Sequence, residues 1–422
     1  MKTKLQWLGV WGCVMFLGWL GLAPSVALAE EELPLGLPDF PRRVQTELPA
    51  LRPEQAIKVG ILNLHPSFTS SIQVNDNVRL SESDEDAAVT FSQKPGLIGE
   101  VKLGDHRLEA GYGMELLTFS GVRGESEDAT NHLAHGELEL NFADLHLTLT
   151  DTVNKATSRL FSETSARDHV VINEVKTLGR YDRPMWALEG GWTHNTIDHR
   201  TDIFNNNDYG EDVFAILGGY KISPKTLLLL ETNLGLVNYD RNVSRADHSY
   251  WQLFTGLRGE MTPKITSTVK LGFQHRQFSD LSGESQSDVD GLVADMNITY
   301  RPSESDAIRL AYLHTVRTST FGTNNYYRQD KLSLGYRKRF FRKWLLNPKV
   351  AWQFNDYPKL GTAGGVTKRR EDHFAQAGVE LRYDIQEWLS TGVEYHFRSR
   401  NSNLDTLDFD NNRFTCDVSI AF

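Results

Sequence analysis

The chain has 422 residues, of which 40% are hydrophobic, with a mean hydropathy of −0.41 and a formal net charge of −10. An acidic balance argues against a nucleic-acid partner, whose phosphates require basic surface. Two cysteines, one of them in the leader described next, predict neither a disulfide framework nor a Cys-based zinc site.

Met1 to Lys4 form a short basic segment, and Leu5 to Leu22 an apolar run. Ala27-Leu28-Ala29 then fits the small-residue cleavage pattern, so residues 1–29 read as a secretory signal peptide cut before Glu30. A membrane anchor fits less well, because acidic Glu30-Glu31-Glu32 follow directly. No later stretch reaches the roughly 18 apolar residues of a spanning helix. Residues 30–55 contain Pro34, Pro38, Pro41, Pro49 and Pro53, which leave no period intact and predict an extended periplasmic linker.

Residues 56–422 follow a period of two. Leu108, Ala110, Tyr112, Met114 and Leu116 share one face. Leu138, Leu140 and Phe142 form the next, and Leu292, Ala294, Met296, Ile298 and Tyr300 repeat it. In the last segment Phe414, Cys416, Val418, Ile420 and Phe422 alternate with Arg413, Thr415, Asp417, Ser419 and Ala421. Segments of about ten residues with one apolar face suit tilted strands crossing hydrocarbon, and explain how a membrane chain keeps a low hydropathy.

Connections alternate in length. Gly104-Asp105, Ala143-Asp144, Ser223 to Lys225, Thr262 to Lys264 and Gln386-Glu387 read as periplasmic turns. Residues 75–86, 120–131, 200–210, 279–290, 358–370 and 399–412 are rich in Asp, Asn, Ser and Gly and read as extracellular loops. Trp186, Trp192, Tyr220, Tyr239, Trp251, Tyr300, Trp352, Trp388 and Tyr395 lie near strand ends, as interfacial girdles require.

The fold class is therefore all-β: a transmembrane antiparallel up-and-down outer-membrane β-barrel of about eighteen strands. The count falls to sixteen if the weakly patterned 169–181 and 344–354 are not strands. Its partners would be outer-membrane lipid and, through the terminal strand ending in Phe422, the barrel-assembly machinery. The strand near Ile57 would pair with the one ending at Phe422 and close the barrel.

No HExxH helix, P-loop or GxSxG elbow is present. His275 shares the apolar face of Phe273, while His194, His314 and His396 lie towards strand ends and read as interfacial or loop-facing. Asn205-Asn206-Asn207-Asp208 could offer oxygen ligands to Ca²⁺, but its spacing fits solvated turn chemistry better. No catalytic residue, cofactor or metal is expected.

If apolar residues face lipid, their neighbours line the lumen. By alternation the N-terminal half contributes mainly acids, Glu109, Glu115, Glu137, Glu139, Glu189 and Glu231. The C-terminal half contributes mainly bases: Arg258, Arg276, Arg301, Arg337, Arg339, Arg382, Arg398 and Arg413. Glycines such as Gly191, Gly235, Gly272, Gly335 and Gly392 would keep the inward face open. Opposed acidic and basic walls would focus a transverse field that favours hydroxyl-rich solutes. The alternative is local neutralisation, with Glu260, Glu380, Glu394 and Asp417 lying among the arginines.

Residues 64–78, Leu-His-Pro-Ser-Phe-Thr-Ser-Ser-Ile-Gln-Val-Asn-Asp-Asn-Val, resemble the first strand of the second putative β-barrel porin family. The stretch Asp208-Tyr209-Gly210, Gly218 to Thr226 and Val237 to Asp240 is similar to its repeating hairpin. So is the one from Gly256-Leu257-Arg258 through Thr262-Pro263-Lys264 to Phe278-Ser279-Asp280. The resemblance implies an outer-membrane pore of a kind associated with exopolysaccharide systems, with polysaccharide a candidate partner and no catalytic residues. A barrel-framed enzyme or an adhesive scaffold is the competing class, and the missing catalytic constellation weighs against the former.

Overall fold

The computed structural model describes residues 56–83, 85–122, 128–158, 163, 167–241, 245–281 and 286–422. The expected signal peptide and linker, residues 1–55, lie outside the described residues.

Among the described residues nineteen strands form one sheet. In chain order they are β1 Ile57–Val59, β2 Leu62–Asn75, β3 Ala88–Leu103, β4 His106–Ser120, β5 Ala129–Asn141, β6 Leu145–Ser158 and β7 Asp168–Asp182. Next come β8 Trp186–His199, β9 Tyr209–Ser223, β10 Thr226–Tyr239, β11 His248–Thr262, β12 Ile265–Phe278 and β13 Val289–Ser303. The last are β14 Asp306–Thr318, β15 Tyr326–Phe340, β16 Trp344–Ala363, β17 Val366–Gln386, β18 Leu389–Ser402 and β19 Phe409–Ala421.

Each strand from β2 to β19 pairs antiparallel with its sequence neighbours, and β19 returns to β2, with Arg413 opposite Asn75 and Ala421 opposite Ser67. The result is a closed antiparallel barrel of eighteen strands. Closure follows from the solvent, since an open edge in hydrocarbon would leave backbone groups unpaired at several kcal/mol each. The weakly patterned segments are full strands, β7 and β16.

The seam differs from expectation. Ile57–Val59 is not part of the wall; it folds back as a short hairpin on β2, with Ile57 opposite Leu64. The strand that meets the C-terminus begins at Leu62. Phe422 N–H donates to Pro66 O at 3.0 Å, and the Phe422 ring stacks on Trp388 at 5.7 Å.

Register fixes the faces. Leu116, Leu234, Leu253, Phe273, Leu292, Leu334 and Val350 are exposed on the outer face. Of the aromatic residues expected in girdles, Trp186, Tyr220, Trp251, Tyr300, Trp352, Trp388 and Tyr395 are exposed there too. Tyr239 is not: it points inward and is buried with Tyr209, Val237 and Tyr250.

Periplasmic connections are two or three residues long, and the opposite end carries the longer loops. Residues 358–370 are an exception to the expected loops. β16 and β17 continue past the others as a hairpin, turning at Gly364 and Gly365, whose φ values of 56° and 77° suit glycine.

Candidate functional site

The inward positions of this frame form the candidate site. Cross-strand partners share a face. Arg107 lies opposite Glu139, and Glu109 opposite Glu137. From these registers Glu109, Glu115, Glu137, Glu139, Glu189 and Glu231 all lie on the face away from the exposed apolar residues, on β4, β5, β8 and β10. Arg258, Arg276, Arg301, Arg337, Arg339, Arg382, Arg398 and Arg413 share that face on β11 to β13, β15 and β17 to β19.

The acids do not stand alone. Arg107 reaches Glu109 at 2.6 Å and Glu139 at 2.8 Å, and contacts Glu137 as well. Lys94 meets Glu115 at 2.9 Å, and Asn131 Nδ2 donates to the same carboxylate. Glu189 holds Arg180 and, across the strands, Arg258. Glu231 and Lys270 are both almost fully buried, with Nζ 3.3 Å from Oε1. Lys94, Arg107, Arg180 and Lys270 were missed as members of the site. Their inward parity was readable, but the acid that each meets on another strand was not.

The basic arc is mixed in the same way. Arg382 bridges Glu380 at 3.1 Å and Asp417 at 3.3 Å. Arg339 meets Asp384 at 2.8 Å. Arg276 donates to His248 Nε2 and Thr318 Oγ1 and lies over the Tyr250 ring. Arg398 stacks over Phe374 and Phe409. Arg301 and Arg337 are exposed. Glu394 takes Lys349 at 3.3 Å, and Glu260 takes Lys225 at 2.6 Å.

The inward face is not polar throughout. On β7 to β11 it carries two apolar clusters, one around Val170, Ile197 and Tyr250 and one of Ala187, Leu217, Leu227 and Leu229. The glycines divide accordingly. Gly335 has open space above it. A Cβ at Gly235 would lie 2.1 Å from the Tyr250 ring, and one at Gly272 would lie 2.2 Å from Leu253 O. Those two glycines admit close packing rather than water, which period two alone does not reveal.

The extracellular mouth is crossed by contacts between loops distant in sequence. Buried Arg245 donates to Gly322 O at 2.9 Å, to Asn324 O at 3.3 Å and to Asn207 Oδ1 at 3.2 Å. Burial is the main influence on the Arg245 guanidinium and lowers its pKa, against Tyr239 and Glu163, which raise it. Glu163 accepts hydrogen bonds from Ser319 Oγ at 2.6 Å and Thr320 N–H at 2.7 Å. Arg370, fully buried, pairs with Asp372 at 2.7 Å, donates to Glu163 O, and lies over Phe321 and Tyr357.

The histidines sort by face. His194, His275 and His314 point outward, each with Nδ1 against a neighbouring-strand carboxylate: Asp212 at 2.9 Å, Asp290 at 2.8 Å and Asp330 at 2.8 Å. His396 is neither interfacial nor in a loop; it faces the lumen opposite Gly378 and Arg413. Asp208 caps the backbone, its Oδ1 accepting His199 N–H at 2.7 Å. Among the described residues no group of His, Cys, Asp or Glu is arranged to hold a metal ion.

A closed eighteen-stranded barrel with a lipid-facing apolar surface and a charged interior is an outer-membrane protein of porin type. More specifically, residues 192–422, over half the chain, match the family model described as Putative beta-barrel porin 2, and the chain belongs to that family. No curated protein matches the sequence. Among solved structures the chain is similar to Acinetobacter baumannii OccAB4, with 12% identity and a TM-score of 0.48 over 88% of this chain and all of that one. It is also similar to Pseudomonas aeruginosa OpdK, at 9% identity and TM-score 0.48 over 86% and 99%. A third is the FrpB iron transporter of Neisseria meningitidis, at 10% identity and TM-score 0.48 over 88% and 82%.

Proposed function

We propose that the barrel is a passive conduit for hydrophilic, hydroxyl-rich solutes, glycan segments on their way out of the cell included. The observation that carries this reading is the charged inward face, acid-rich on β4 to β10 and base-rich on β11 to β19, in a barrel wide enough for a water-filled channel. Local ion pairs weaken the transverse field but leave its sense, since Arg301 and Arg337 on the basic side are exposed. Such a wall orients water and hydroxyls and disfavours apolar solutes.

Purified barrel in planar bilayers should give stepwise conductance, and vesicles carrying it should swell in neutral oligosaccharides. Absence of both in correctly inserted protein would sink the conduit reading. Swelling in monosaccharides without passage of oligosaccharides would refute glycan export and leave a general pore.

A further inference from the structure

One row of inward residues crosses four neighbouring strands. Lys349 on β16 lies opposite Gly378 on β17, Gly378 opposite His396 on β18, and His396 opposite Arg413 on β19. Gly378 is the floor beneath two of these side chains. A Cβ there would stand 3.0 Å from Lys349 Cε and 3.3 Å from His396 Cδ2, so both converge over a residue that contributes no side chain. In the next inward row Arg398 lies opposite Gln376 and Asn411.

The acids nearby are engaged on the other side. The adjoining row places Glu380 opposite Glu394. Glu380 accepts from Arg382 and Asn347, and Glu394 from Lys349 at 3.3 Å. Arg413 has no carboxylate within ion-pair distance among the described residues, and its Nε is buried without a hydrogen-bond partner. Asn411, in the row above, is already committed to Asn75 and Asn77. A guanidinium fork, an ammonium and an imidazole thus share one stretch of the lumen wall, and no described carboxylate neutralises Arg413.

We propose that Lys349, His396, Arg413 and Arg398 form an oxyanion-binding site in the lumen, selecting solutes that carry a carboxylate or phosphate. A planar guanidinium presents paired donors matched to an oxyanion, and charge-assisted hydrogen bonds of this kind outlast those to neutral hydroxyls. The anion would sit on the lumen side of Lys349 and His396, which cover the buried Gly378, and Lys349 exchanges Glu394 for it. The inference rests on the conduit reading for its biological sense but not for its test.

Binding is measured by calorimetry on the detergent-solubilised barrel, with glucuronate, glucose 6-phosphate and glucose as probes; the two acids separate a carboxylate from a phosphate site. At least one acid should bind about tenfold or more tightly than glucose. Arg413→Gln should weaken that acid about tenfold, and Gly378→Val should do so by pushing Lys349 and His396 apart, both with unchanged heat-modifiable mobility. Gly378→Val removes no charge and keeps the test alive if the arginine variant fails to fold. No preference for either acid, or unaltered affinity in a folded variant, overturns the proposal. Conductance recorded on the same preparations keeps the readings apart: a barrel that binds the acid but does not conduct refutes the conduit and leaves the site standing.

Discussion

The two ends of the barrel use the same residue types in opposite ways. At the extracellular end Arg370 and Asp372 are fully buried, and Ser319 and Asn324 are sealed with them. At the periplasmic end Arg107 meets three glutamates while remaining about a quarter exposed. In water an ion pair is worth about 0–1 kcal/mol, because both charges are already solvated and screened. Buried, neither partner can be lost cheaply, since the survivor is left uncompensated at about 3–5 kcal/mol. The first arrangement locks loops together; the second lines a wet wall with charge and leaves it adaptable.

The largest effect is expected at the seam that closes the sheet. Phe422 stacks on Trp388, and its carbonyl lies 3.2 Å from His65 Nδ1. Phe422→Asp places a charge at the end of the strand that closes the barrel, and, if that strand also guides insertion as we propose, should remove most folded protein from the outer membrane. Normal yield and normal heat-modifiable mobility would refute a role for the terminal aromatic. Next comes the lock. Arg370→Ala should destabilise the extracellular end by about 3–5 kcal/mol, seen as earlier loss of protease resistance in the loops, and should raise single-channel conductance. Unchanged stability would mean that water reaches Asp372 and that the lock is looser than its geometry.

These contrasts show what was legible in the sequence. The barrel was, because a lipid-facing strand must alternate, and Leu108 to Leu116 or Phe414 to Phe422 leave little choice of period. Inward parity of the charged residues came with it. Other features were not readable. The β16–β17 hairpin looked like a loop because Pro358, Gly361, Gly364 and Gly365 break the pattern, yet pairing continues from Leu360 with Arg369 to Ala363 with Val366. Tyr239 looked like a girdle residue because position along a strand does not reveal that Tyr209 and Tyr250 cover it. The lock of Glu163, Arg245, Ser319 and Arg370 joins residues far apart in sequence, and no local spacing encodes it.

A smaller effect tests the walls against each other. Arg337, Arg339 and Arg382 lie on the basic arc towards the periplasm. Changing all three to Gln should shift the reversal potential towards cation preference and slow acidic sugars more than neutral ones, with the fold intact. If selectivity and sugar flux are unchanged, the arginines are structural and the transverse field plays no part in passage.

The smallest effect is the most discriminating for the comparison of the two ends. Arg107 holds Glu109, Glu137 and Glu139 together and so resembles a structural clamp. If contacts alone set stability, Arg107→Gln would cost as much as Arg370→Ala. Solvation argues otherwise, because Glu137 and Glu139 are accessible to lumen water and can be hydrated once the guanidinium is gone, and only Glu109 is buried, with His135 Nε2 4.0 Å away. The expected loss is smaller than that of Arg370→Ala, with a modest increase in cation preference from the uncovered carboxylates. It should shrink further as salt is raised, since screening acts on a wet pair and barely on a buried one. Equal, salt-insensitive destabilisation in Arg107→Gln and Arg370→Ala would mean that the periplasmic wall is as dry as the extracellular lock, and the division between the two ends would not stand.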